Sequence, residues 1–68
     1  MKIVVTLDVV MAQRKMKLSE LSEKVGISMT NLSLLKTGKA KGIRFGTLLA
    51  ICEALDCEPG DVIQIEKQ

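Results

Sequence analysis

The sequence predicts an all-α fold, a compact bundle of four to five short helices with candidate short β segments at the two ends. Three observations carry this. Apolar residues recur at spacings of three and four through most of the 68 residues. Gly26 and Gly38 stand where two of these patterns stop, and glycine is the favoured left-handed helix terminator because it has no Cβ to clash. The core has to be aliphatic, since apolar residues make up 47% of the chain and Phe45 is its single aromatic.

The first helix starts at Thr6 or Leu7, after the β-branched stretch Lys2–Val5, which favours an extended backbone. Asp8 falls in its first turn, where a negative charge suits the helix dipole. Leu7, Val10 and Met11 form its inward stripe, and Arg14 and Lys15 fall at its end. Met16-Lys17 links to a second helix over Leu18–Val25, with Leu18, Leu21 and Val25 on one face. Gly26 ends it, Ile27 turns back toward the core, and Ser28 is placed to cap the next helix with its hydroxyl. That third helix spans Met29–Lys36, with Leu32 and Leu35 inward and Gly38 as terminator. Two helices of this length across a turn of three or four residues have the helix-turn-helix layout.

The basic turn Lys39-Ala40-Lys41-Gly42 leads to a longer helix over Phe45–Leu55. Phe45, Leu48, Cys52 and Leu55 form its expected core stripe, widened by Ile51, while Leu49 falls to the side. Pro59 fits a first helical position, so residues 59–63 form a single helical turn with Val62 and Ile63 closing the core. Ile63 and Ile65 alternate with polar residues over Gln64–Glu66, as in a half-buried strand. This segment can pair with Ile3–Val5 within one chain or between two.

Length and absence of repeats, low-complexity runs or linkers predict one domain over residues 1–68, of a size at which dimerisation often adds stability. No apolar run approaches the roughly 18–20 residues needed to span a bilayer, so a soluble, cytoplasmic protein is expected. Two thiols without histidine do not make a structural zinc site, which takes four ligands. Neither a nucleophile with a plausible base nor a glycine-rich phosphate cradle is recognisable. No enzyme, metal, cofactor or small-molecule ligand is implied.

Charge is unevenly spread. Residues 24–52 carry Lys24, Lys36, Lys39, Lys41 and Arg44 and no acid, whereas residues 53–68 carry five acids and Lys67. This arrangement predicts one positive face for a partner bearing phosphates. At about 100° per residue, Thr30, Ser33, Leu34 and Thr37 point away from the core side of the third helix. They are short, mostly hydroxylated and uncharged, which suits close approach to base edges. The plainer alternative is a Ser/Thr-rich solvated surface.

The stretch Leu18–Gly38 resembles the Cro and phage-repressor type of helix-turn-helix. The match is carried by Glu20-Leu21, Val25-Gly26-Ile27-Ser28, Leu32, Leu35 and Gly38-Lys39, and Phe45–Leu55 followed by Glu58–Ile63 is similar to the family's last two helices. The resemblance implies a sequence-specific regulator of double-stranded DNA, a homodimer on an inverted repeat, with the third helix in the major groove. It implies base-reading roles for Ser28, Met29, Thr30, Ser33 and Leu34. Asn31 and Thr37 read an edge or hold the backbone, and Lys36, Lys39, Lys41 and Arg44 meet phosphates. Leu18 stands where many members have a phosphate-binding Gln. Met11 and Lys36 stand where many have a buried Arg–Glu pair. Leu34 replaces a frequent polar base reader; it contacts a thymine methyl or lies in a protein interface. A partner-binding, antitoxin-like module on the same fold is the alternative.

Overall fold

The stretch Lys2–Val5 forms a strand, β1, and the chain closes on a second strand, β2, over Ile63–Glu66. Between them lie five helices: α1 Leu7–Gln13, α2 Leu18–Val25, α3 Met29–Lys36, α4 Phe45–Leu55 and α5 Pro59–Val62. The computed structural model describes residues 1–67. Gln68, within the expected single domain, lies outside the described residues. β1 and β2 pair antiparallel inside one chain, with Ile3 opposite Ile65 and Val5 opposite Ile63, the first of the two pairings open from sequence.

The core is aliphatic, as composition requires. Leu7, Leu21, Leu32, Ile51 and Val62 are fully buried, with Val10, Met11, Leu35, Cys52 and Leu55 close around them. Each helix therefore contributes its apolar stripe to one cluster, and α2 packs against both α3 and α4. The ribbon is tied down where it meets this cluster: the Thr6 amide donates to the Val62 carbonyl at 2.7 Å, and the Thr6 hydroxyl donates to the Asp61 carbonyl at 2.7 Å. Val5 and Ile63 are half-buried against the core, while Ile3 and Ile65 overhang it and stay exposed. The half-buried strand expected over residues 63–66 is thus covered only at its first residue.

Three helices end in the same way. In each, an amide reaches back to a carbonyl five residues earlier: Met16 to Met11, Lys39 to Leu34, and Cys57 to Cys52. This closing pair places the residue before the donor in the left-handed region. Gly38 takes that conformation at little cost, with φ of 77°, but Lys15 (54°) and Asp56 (51°) take it as well. Arg14 binds two of these ends together. Its Nε donates to the Leu55 carbonyl at 2.8 Å and its Nη2 to the Asp56 carbonyl at 3.1 Å, so a guanidinium caps the negative end of α4.

Phe45 departs from expectation. It does not join the core stripe and is 89% exposed, whereas Leu48 is half-buried and Cys52 and Leu55 are buried. Around the axis of α4 Phe45 lies within about 20° of buried Cys52, so its place at the end of the helix, not its direction, leaves it exposed. A helical side chain also covers the turn preceding its own Cα, and at the first helical position there is no such turn.

Candidate nucleic-acid interface

The turn between α2 and α3 is held by main-chain geometry. Gly26 caps α2 at φ 82° with its amide on the Ser22 carbonyl, and the Ser22 hydroxyl donates to the Ile27 carbonyl across the turn. Ser28 has the extended backbone of an N-cap, and its hydroxyl accepts from the Asn31 amide at 3.1 Å. α2 is started differently: the Glu20 carboxylate accepts from the Lys17 amide at 3.3 Å, while Lys17 has no side-chain acceptor to return the contact.

On α3, Leu32 and Leu35 face the core, and Ser28, Met29, Thr30, Asn31, Leu34 and Thr37 are exposed. Ser33, expected to point outward, and Lys36, expected to meet phosphate, are half-buried at the flanks of this face. The Thr37 hydroxyl is already committed to the Ser33 carbonyl at 2.9 Å, leaving its lone pairs as acceptors. Neither Met29 nor Leu34 is hidden: they are 49% and 42% exposed. The exposed face of α3 therefore mixes short polar groups with two apolar ones and contains no acid.

Two grooves flank α3. In one, Asn31 and Leu34 meet Arg44 and Thr47 across the chain joining α3 to α4. In the other, Lys36 and Thr37 meet Lys2, Val4 and Asp8 of the ribbon and α1. Lys41 borders a third recess, between that loop and Ile3, Val5 and Ile63 of the ribbon. Lys39 is exposed in the chain just after α3. Among the described residues the one ion pair is Lys2–Glu66, at 3.6 Å, so Lys36, Lys39, Lys41 and Arg44 have no carboxylate partner. Thr47 was not among the sequence-derived candidates. Its half-buried position beside Asn31 depends on how α4 leaves the loop, which apolar periodicity does not report.

A short capped helix presented by a glycine turn, flanked by cations with no carboxylate partner among the described residues, defines a helix-turn-helix module of the kind that docks on nucleic acid. The chain belongs to the family of the Cro/C1-type HTH DNA-binding domain, whose profile matches residues 6–68. It is 59% identical over 64 residues to YozG of Bacillus subtilis (strain 168), an uncharacterized HTH-type transcriptional regulator, covering 94% of this chain and 76% of YozG. The crystal structure of a candidate DNA-binding protein from Bacteroides fragilis superposes with a TM-score of 0.82 at 22% identity, over 93% of this chain and 100% of that one. At that identity the likeness concerns the fold. The family membership makes the chain a DNA-binding helix-turn-helix protein of the transcriptional-regulator class. No helix among the described residues is long and apolar enough to cross a membrane.

Proposed function

We propose that the protein is a cytoplasmic repressor that binds an inverted repeat as a homodimer, with α3 entering the major groove N-terminus first. The observation that carries this reading is an acid-free α3 face, of short polar side chains with Met29 and Leu34, bordered by four cations that have no carboxylate partner among the described residues. Ser28, Met29, Thr30, Ser33 and Leu34 read bases, and Asn31 and Thr37 read an edge or hold the backbone. Lys36, Lys39, Lys41 and Arg44 bind phosphates and supply the salt-dependent part of the affinity. Within base reading, Met29 and Leu34 suit the thymine methyl and Thr30 suits a polar base edge.

A single α3 spans only a few base pairs, so a useful specificity calls for two copies on half-sites about one helical turn, ~34 Å, apart. The overhanging pair Ile3 and Ile65 is the surface we assign to that contact. A second reading, a partner-binding module, draws on the exposure of Met29 and Leu34. The experiment is selection of bound duplexes from random DNA, followed by titration of the winner against salt. Enrichment of an inverted repeat with a steep salt slope is expected. Absence of enrichment, with weak binding to every sequence, would transfer the proposal to the partner-binding reading.

A further inference from the structure

The aromatic ring that leaves the core is part of a second surface, remote in chemistry from the first. Phe45 and Leu49 lie one turn apart on α4 and are 89% and 61% exposed. Beside them a groove of 400 Å³ runs between α4 and the start of α5, walled by Leu48, Cys52, Cys57 and Pro59. Every charged residue lining it is acidic: Glu53, Asp56 and Glu58. All three are exposed, and none forms an ion pair among the described residues. An apolar anchor site inside a rim of one charge sign is a feature of recognition surfaces, because a large apolar side chain left in water by itself gains nothing.

The rim decides the occupant. Phosphates are repelled by three carboxylates, so this is not a further DNA surface. A second copy docking here about a two-fold axis would set the same three carboxylates against their counterparts, and Arg14, outside the lining, is already engaged by the Leu55 and Asp56 carbonyls at its edge. Like charges facing each other across an interface are costly. The complementary ligand is a protein segment with bulky apolar side chains on one face and Lys or Arg beside them, a form that an amphipathic helix provides. Arg44 and Thr47 line the groove shared with α3, whereas Phe45, Leu48 and Leu49 line this one, so different sides of α4 serve the two surfaces.

We propose that the groove between α4 and α5 docks a basic amphipathic segment of a partner protein, with Phe45 and Leu49 as apolar anchors and Glu53, Asp56 and Glu58 as its charge selectors. This surface is independent of the repressor reading and remains testable without DNA.

The probe is a fluorescein-labelled 14-residue helical peptide of Leu and Lys only, with Leu on one face. Its control is the same peptide with Glu in place of every Lys. Anisotropy titration of the full chain reads affinity, and amide chemical-shift mapping reads location. The Lys peptide is expected to shift amides of Phe45–Glu58, while the Glu peptide does not bind. Phe45→Ser and Leu49→Ser, both at exposed positions and checked by circular dichroism, should each weaken binding about tenfold or more. Glu53→Gln with Glu58→Gln should weaken it and flatten its salt dependence, whereas Glu20→Gln with Glu23→Gln, on α2, should leave it unchanged. Three outcomes overturn the proposal: no binding of the Lys peptide, equal loss from the α2 pair, or self-association of the chain that Leu49→Ser abolishes. The last would give the groove to a second copy.

Discussion

At the scale of single residues, Cys57 shows how a half-buried position changes chemistry. Removal from water pushes its thiol up from 9.0 to about 11, and the neighbouring Cys52 thiol adds to the effect. Both cysteines are free. The folded state thus holds the Cys57 proton more tightly than the unfolded chain does. The associated stabilisation is complete below pH 9 and is lost as pH rises from about 9 to about 11. Iodoacetamide labelling of Cys57, followed by mass spectrometry across pH, should show a midpoint near 11 in the native protein and near 9 in denaturant. A native midpoint near 9 would mean that the thiol is not shielded. Leu35 makes a complementary case in the core. It is 6% exposed, so Leu35→Ala should cost about 2–5 kcal/mol, read from denaturant unfolding. An unchanged midpoint would place Leu35 outside the core. Such residues were legible in the sequence, since Leu32, Leu35, Leu21 and Ile51 each sit on a stripe that only a packed helix explains. Arg14 was not. Its partners are carbonyls 41 and 42 residues away, and main-chain acceptors carry no sequence signature.

At the scale of elements, the boundaries that sequence reveals are those made by side-chain chemistry or by glycine. Ser28 and Gly26 bracket the turn before α3 as expected, and α2, α3 and α4 have the limits that their apolar periods indicate. Lys15 and Asp56 terminate α1 and α4 in the same left-handed conformation as Gly38, yet nothing in their side chains announces it. The position of Phe45 was lost for a related reason. Periodicity assigns a direction around the helix axis but does not weigh the end of the helix, where one side of the expected packing is missing. The turn before α3 can be tested from both sides. Ser28→Ala removes the acceptor for the Asn31 amide and should cost about 1 kcal/mol. Gly26→Ala meets no atom within 4 Å at the new Cβ, so its cost is the left-handed backbone alone, about 1–2 kcal/mol. Equilibrium unfolding of both variants checks this. A neutral Gly26→Ala would show that the turn relaxes to another conformation.

At the scale of the whole molecule, charge is sorted onto surfaces, and that sorting was already visible in the run of five bases without an acid over residues 24–52. What the fold adds is that Lys36 on α3 and Lys39, Lys41 and Arg44 in the chain after it have no carboxylate partner among the described residues, while Glu53, Asp56 and Glu58 gather at the α4–α5 groove. Under the proposed function, position and specificity separate cleanly between residues. Lys39→Ala and Lys41→Ala should each weaken binding to all duplexes and reduce the slope of log affinity against log salt by about one. Thr30→Ala carries no charge change, so it should leave that slope and the non-specific affinity intact. It should lower the ratio of selected to random duplex, by about 0.5–1.5 kcal/mol if Thr30 bonds a base edge. Fluorescence titrations of the three variants at several salt concentrations measure both quantities together. A lysine variant with an unaltered slope would remove that lysine from the phosphate set. Equal weakening of selected and random duplexes by Thr30→Ala would mean that Thr30 touches the backbone, and base reading would then rest on Ser28, Met29, Ser33 and Leu34.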